Sequence, residues 1–420
     1  MGFQQGLSGL NAASKNLEVI GNNVANANTI GAKESRAEFG DMYASAISNT
    51  STSAGIGVSL QAVTQQFTQG NITTTDSPLD LAINGNGFFE VQNPAGQTLY
   101  TRNGQFQANK DGFITTNTGL KLVGYPASKG GVIQPGAAVP LQLPAGGVEP
   151  NPTSKITVEM NLDARKATTL PATTPQIDFT DATTYNDATS VTVFDAKGQD
   201  VALTYYFQKS ANDTWNVYAT ANGTSVKVDG AGNPLPVTTI DFPGNGGTPT
   251  APTGTVVFDV PSTTNAAGAA TLPITGVALD VTGATQYGAG FGVTSMAQDG
   301  YAAGQLVSVA IEKSGVVTAT YSNGQSKPAG QLELATFRNP QGLSPLGGNL
   351  WARSYASGDP TVGTPSSGNI GALQAGALEE SNTDLTNELV NMITAQRIYQ
   401  ANSQTIKTQD QVLQTLVNLR

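Results

Sequence analysis

The sequence predicts a mainly β protein with α-helical termini: N- and C-terminal helices form a coiled-coil inner domain, and two nested all-β domains fill the middle. Three observations lead there. Apolar residues recur every seven positions at both ends of the chain. Between them, apolar and polar residues alternate with period two and are punctuated by turn dipeptides. Two Pro/Gly-rich stretches divide that middle region.

The C-terminal repeat is the longer one. Leu378, Leu385, Met392, Tyr399, Ile406 and Leu413 are seven apart, and Leu389, Ile393, Leu416 and Val417 widen the stripe. A sustained 3.5-residue period is the pattern of a coiled-coil seam. Ser381, Asn382 and Thr383 are good N-cap residues, and Ser381-x-x-Asp384 is an imperfect capping box. Neither Pro nor Gly follows Ser381, so the spacing predicts a helix of about 36 residues, ~54 Å long. Phe3, Leu10, Leu17 and Val24 repeat the spacing at the N-terminus, with Leu7 and Ile20 beside them. The two seams are expected to pack on each other. Residues 1–32 carry only two charged side chains, Lys15 and Glu18, and Gly6, Gly9 and Gly21 each cost up to ~1 kcal/mol relative to Ala in a helix. Such helices are marginal alone, and other copies of the same chain are the natural source of further neighbours.

Composition narrows the function classes. Charged residues make up 12 % of the 420, about half the usual ~25 %. A net charge of −10 argues against nucleic-acid binding, which needs basic patches. There is no polybasic run and no apolar run of membrane-spanning length, so no membrane insertion is expected. The chain has no Cys and no His; disulfides, zinc fingers, thiol nucleophiles, Ser-His-Asp triads and imidazole metal sites are excluded. No secretory signal pattern opens the chain, which points to another export route if the protein leaves the cell.

In chain order, residues 1–26 form the first helix, and the Asn-rich run Asn22 to Gly31 reads as its end. A short helix is expected around Met42–Ile47, a Ser/Thr/Gly loop over Ser48–Gly57, and extended chain from Val58 to Phe67. Leu79, Leu81 and Ile83 alternate, Phe89 and Val91 follow, and Asn84-Gly85-Asn86-Gly87 between them predicts a hairpin. Pro126 to Thr153 is a domain border. Ile156/Val158/Met160/Leu162, Val191/Val193, Val201/Leu203/Tyr205/Phe207, Trp215/Val217 and Val256/Phe258/Val260 read as strands of a sandwich or barrel. Tyr287–Gly304 is a Gly-rich hinge. A hairpin follows over Leu306–Ile311 and Val316–Tyr321 around Ser314-Gly315, then a strand at Leu332–Phe337, with Trp351 and Tyr355 in the core. The expected division is 1–30 with 373–420 (terminal coil), 31–71 with 356–372 (connections), 72–150 with 298–355 (middle β domain) and 151–297 (outer β domain).

Several segments resemble one family. Gly9-Leu10-Asn11-Ala12-Ala13, Gly21-Asn22-Asn23-Val24-Ala25-Asn26 and Asn28-Thr29-Ile30-Gly31-Ala32-Lys33 are similar to the N-terminal signature of bacterial flagellar rod and hook axial proteins. Pro78 to Ile83, Gly87-Phe88-Phe89 and Tyr100-Thr101-Arg102-Asn103-Gly104-Gln105-Phe106 resemble its central motif. Gly376 to Asn382 and Met392 to Tyr399 resemble its C-terminal motif, and Lys407 to Leu419 is similar to the hook branch. Ala32 departs from the aromatic residue often found there. The resemblance covers about residues 1–125 and 300–420. It implies a non-enzymatic, cofactor-free subunit of the flagellar hook outside the cell, self-assembling into a curved tube that acts as a flexible universal joint. The implied partners are other copies of itself, the distal rod protein, the hook–filament junction protein, the hook cap protein, the hook-length control protein and the flagellar type III export apparatus. The self-assembly seam expected from the two heptad repeats is Phe3, Leu10, Leu17, Val24, Leu378, Leu385, Leu389, Met392, Tyr399, Ile406 and Leu413.

Other readings are a distal rod or other axial protein, or a β-rich adhesin with a platform at Trp215, Tyr205 and Tyr206. Catalysis would need paired carboxylates about 5–10 Å apart, and here they are scattered through turns. Asp195–Asp200 and Asp229–Asn233 could offer oxygen ligands to calcium but read as ordinary turns. Gly85-x-Gly87 lacks the Lys-Ser/Thr of a phosphate loop.

Overall fold

A computed structural model describes residues 2–42, 55, 57–128, 130–144, 146–171 and 174–418. Helices stand at the two ends, α1 (Gly2–Ala25) and α2 (Leu385–Asn418), and strands fill the chain between them. The expected helix at Met42–Ile47 lies outside the described residues except for Met42, which ends a strand. The chain forms two compact units: residues 1–145, 307–320 and 326–420, and residues 146–306 with 321–325.

The first unit begins with α1. Ser35–Met42 and Gly57–Gln65 form an antiparallel ribbon packed on α1. The α2 cap lies later than the sequence suggested. Asp384, not Ser381–Thr383, accepts from the backbone N–H of Thr386 (2.8 Å) and Asn387 (3.2 Å). A carboxylate here satisfies two free helix donors and meets the positive end of the helix dipole. Ser381 and Thr383 bond each other instead. At 34 residues α2 is ~51 Å long.

The β body is a large sheet running through Leu306–Ile311, Val316–Tyr321, Ser326–Leu332, Lys121–Pro126, Phe88–Gln92, Thr98–Thr101, Leu350–Ala352 and Ser344–Gly347. Leu81, Ile83, Phe89, Val91, Leu122, Leu332 and Leu334 fill one core. Phe88, Tyr100, Ala335, Phe337, Leu343 and Trp351 form a second. Phe88 and Phe89 therefore point to opposite cores, as period two requires. Trp351 is buried, but Tyr355 is fully exposed, correcting its assignment to the core. The Ser314-Gly315 hairpin forms as its turn chemistry demands, with Gly315 at φ 81°.

The Asn84–Gly87 hairpin does not form. Leu81–Asn84 pairs with Ala372–Ala375, while Phe88–Gln92 pairs with Thr98–Thr101, Lys121–Pro126 and Leu334–Thr336. Gly85 (φ 111°) and Gly87 (φ 134°) are not in the left-handed helical region that a tight Asn-Gly turn uses. They make a corner between two sheets, and a Cβ on Gly85 would meet the Gly371 backbone at 3.2 Å. Beside it, Ile72–Thr74 pairs with Ala377–Glu379. Strands near residue 80 thus find their partners near residue 375.

The second unit is a two-sheet sandwich. One sheet orders Val256–Val260, Ile274–Asp280, Lys155–Asn161 and Gly292–Gln298; the other is built on Asp187–Phe194, Asp200–Ala211 and Thr214–Ala221. Ile156, Val158 and Met160 of one sheet and Val201, Leu203, Tyr205, Phe207, Trp215 and Val217 of the other share a core, one inward residue in two along each strand. Strand Gly292–Gln298 pairs with Lys155–Asn161, so the stretch expected to be a hinge contains a core-sheet strand. Its glycines flank the strand and masked it. Trp215 and Tyr205 are buried, which leaves no platform for them to present.

Candidate assembly surface and the ion cluster that anchors it

The two terminal helices pack antiparallel. The site where a Gly6 Cβ would stand is 3.0 Å from Ile406 Cγ1, and that of Gly9 is 2.8 Å from Asn402 Oδ1. The buried stripe of α1 is Gly6, Ala13 and Ile20, seven apart, and that of α2 runs through Glu388 and Ala395 to the half-buried Asn402. Each stripe lies three residues from the large-residue heptad read in the sequence. Small side chains let the helix backbones approach closely, which accounts for glycines that propensity alone counts as a cost.

The predicted seam residues therefore divide. Ile406 faces α1, and Met392, Leu10, Leu17 and Val24 are half-buried. Phe3, Leu385, Leu389, Tyr399 and Leu413 are exposed, at 38–53 %. Leu378 is not on the helix; it is a buried residue of the strand Ala377–Glu379. The side chains of Leu416 and Val417 lie outside the described residues. Val390, Ile393, Ile398 and Val412 are exposed as well. The small residues thus close the contact within the chain, and much of the large apolar surface of α2 faces outward.

One further group was absent from the sequence reading. Glu379 is buried, and its Oε1 accepts from Lys33 Nζ at 2.6 Å and from the Gly70 N–H at 3.0 Å, while its Oε2 accepts from Arg102 Nη1 at 3.0 Å. Lys33 Nζ also donates to the Thr68 carbonyl, and Arg102 Nη2 to that of Gly85. The Gly31 N–H donates to the Glu379 carbonyl at 2.8 Å. Burial holds both the Lys33 ammonium and the Arg102 guanidinium below their ordinary pKa, against the pull of Glu379. Around this cluster Asn382 accepts from the Glu34 N–H and donates to the Gln66 carbonyl. Asn23 exchanges two bonds with the Ser35 backbone, 2.8 and 2.9 Å. The N-terminal, central and C-terminal motifs quoted above meet here. The signal in the sequence was three charged residues inside motifs of a charge-poor chain, but nothing local says that residues 346 positions apart touch.

Glu388, in the first turns of α2, is buried with Oε2 unpartnered among the described residues. Burial and the nearby Glu34 charge push its carboxyl up. Asp195 accepts from the N–H groups of Lys197, Gln199 and Leu272, and Asp229 from those of Ala231 and Asn233; both are turn carboxylates already engaged by backbone. Among the described residues no group of three or more acidic side chains could hold a metal, and no helix is long and apolar enough to cross a membrane.

A β-rich chain whose two ends pair as helices, anchored by buried charge and carrying an outward apolar stripe, is of the self-associating structural class. The comparisons with known proteins specify it. Residues 3–33 match the flagella basal body rod protein model, 82–199 the flagellar hook protein FlgE/F/G D1 domain, 161–301 the flagellar basal body protein FlaE D2 domain, and 374–419 the flagellar basal body rod FlgEFG protein C-terminal model. Flagellar hook protein FlgE of Salmonella typhimurium is 40 % identical over 425 residues, covering all of both chains. That of Escherichia coli K12 is 40 % identical over 424, and that of Brucella suis 32 % over 425, covering 98 % of the relative. The crystal structure of Helicobacter pylori flagellar hook protein FlgE2 shares the fold, with TM-score 0.53 at 15 % identity over 73 % of this chain and all of that one. The chain belongs to the flagellar hook protein FlgE family.

Proposed function

We propose that this chain is the structural subunit of the flagellar hook, and that copies of it assemble through their terminal helices into a curved tube joining rod to filament. The observation that carries this reading is the outward apolar face of α2: Leu389, Val390, Ile393, Ile398 and Val412 are exposed in the single chain. Exposed apolar area on this scale marks an association surface, and family membership makes other copies of the chain its partner. In this reading the segments 1–30 with 373–420 line the tube, 31–71 with 356–372 connect, 72–150 with 298–355 form a middle layer and 151–297 the outermost one. The inner helices resist twist and the outer β layers slide as the tube bends, which makes it a universal joint that transmits torque. The distal rod, junction, cap and length-control proteins and the export apparatus are its further partners. The role is mechanical and needs no catalytic group, in keeping with a structural family.

The test is electron microscopy of the concentrated full-length protein beside a variant lacking residues 151–297. Tubes from both, differing in curvature, are expected. A variant that forms no tubes while keeping its circular dichroism would overturn the layer assignment, and loss of tubes from the full chain would overturn the reading itself.

A further inference from the structure

Two buried glutamates stand on neighbouring strands inside the β body of the first unit. The ladder pairs Leu334 with Phe89 and Ala335 with Phe88, and one step further along the same register Glu333 comes opposite Glu90. Phe89 and Leu334 enter one core, while Phe88 and Ala335 enter the aromatic one. Alternation then puts Glu90 and Glu333 on the aromatic side. Both are buried, Glu90 at 7 % and Glu333 at 3 % exposure. On the other flank of Glu90 stands Tyr100, its partner across the ladder. From Lys121–Pro126, the Tyr125 hydroxyl donates to Glu333 Oε1 at 2.9 Å. Beyond Leu350–Ala352, Arg353 is paired with Asp359, so its charge is already met. Like charges directly opposite on a sheet repel, and two carboxylates sharing a desolvated site cannot both ionise readily.

We propose that Glu90, set opposite Glu333, acts as a built-in pH sensor: its carboxyl keeps a proton that holds the strands Phe88–Gln92 and Leu334–Thr336 together and that is lost as the surroundings turn alkaline. The electrostatics support the geometry. Burial, then the Glu333 charge, pushes Glu90 up to about 7, and burial raises Glu333. In the unfolded chain a glutamate titrates near ~4.3. Between those values the folded chain holds a proton that the unfolded chain has released. Stability therefore falls as pH rises through this window and levels off above about 7. The full shift corresponds to roughly a 500-fold change in the folding equilibrium constant. The β body is thus held more firmly in mildly acidic surroundings than at slightly alkaline pH.

The experiment is urea unfolding of the full-length protein between pH 5 and 8.5, with Trp215→Phe in place so that Trp351, in the aromatic core beside the pair, is the only tryptophan. Glu90→Gln should destroy the sensor. Relative to that variant, the parent should lose roughly 70-fold in folding constant from pH 5 to pH 8. Parallel profiles overturn the proposal. Should Glu90→Gln fail to fold, carboxyl-carbon NMR of the glutamate-labelled Glu388→Gln variant decides, the substitution removing the other raised carboxyl outside the pair. A glutamate with its midpoint near neutrality supports the sensor, and midpoints all below about 5.5, close to model values, overturn it.

Discussion

Glu379→Ala tests the anchor most directly. The carboxylate lies 2.6 Å from the Lys33 ammonium and 3.0 Å from the Arg102 guanidinium, with all three side chains 4 % exposed or less. At an effective dielectric of about 20, charges at these distances attract by ~5–6 kcal/mol each. Desolvation of the ions consumes most of that, so the pair is worth little beside a well-packed apolar replacement. Removing the carboxylate alone is different. It strands two cations without their counter-charge, and the expected loss is ~3–5 kcal/mol, a large part of the ~5–15 kcal/mol by which a domain is stable. The assay is urea unfolding of the first unit followed by Trp351 fluorescence, in the Trp215→Phe background. Limited proteolysis is also expected to show both chain ends released together. A loss below about 1 kcal/mol would mean that water reaches the cluster and would refute its description as a buried anchor. Replacing Lys33, Arg102 and Glu379 together by Met, Met and Leu should restore most of the stability.

Three other outcomes are expected. Leu389→Asp, on the outward face of α2, should leave the monomer's unfolding midpoint within about 0.5 kcal/mol of the parent yet abolish tube formation in the microscope; tubes of normal length would disprove the role of that face. Met392→Asp should lower monomer stability as well, because this half-buried position would desolvate a carboxylate, and equal stability would contradict that. Gly9→Leu should separate α2 from α1, because even a Cβ there stands 2.8 Å from Asn402. Hydrogen exchange in α2 would rise, and unchanged protection would show that the helices do not touch as described.

The sequence made some parts of the fold legible and hid others for definite reasons. Heptads revealed both terminal helices because a long helix is a local structure with a strong period. They did not reveal which face closes the chain on itself. Gly6, Ala13 and Ala395 carry almost no hydrophobic signal, and their value lies in letting α2 come near. Alternation found the sandwich strands through Val201, Leu203, Tyr205 and Phe207. It missed Gly292–Gln298, whose side chains are mostly exposed. The Asn84–Gly87 corner failed because turn chemistry names residues that can reverse the chain, not the strand that will lie beside them. Glu379 with Lys33 and Arg102 was invisible for the same reason: contact between distant segments leaves no mark on spacing.

The pairing of strands near residue 80 with strands near 375 also fixes when the first unit can fold. A chain emerging N-terminus first presents Ile72–Thr74 and Leu81–Asn84 with open edges, Lys33 and Arg102 without their acid, and α1 without its mate. Nothing completes the body until residues 372–379 arrive, and closing so long a loop is slow compared with local structure. The subunit is therefore committed to ripening late, only once the segment that carries Glu379 has come free.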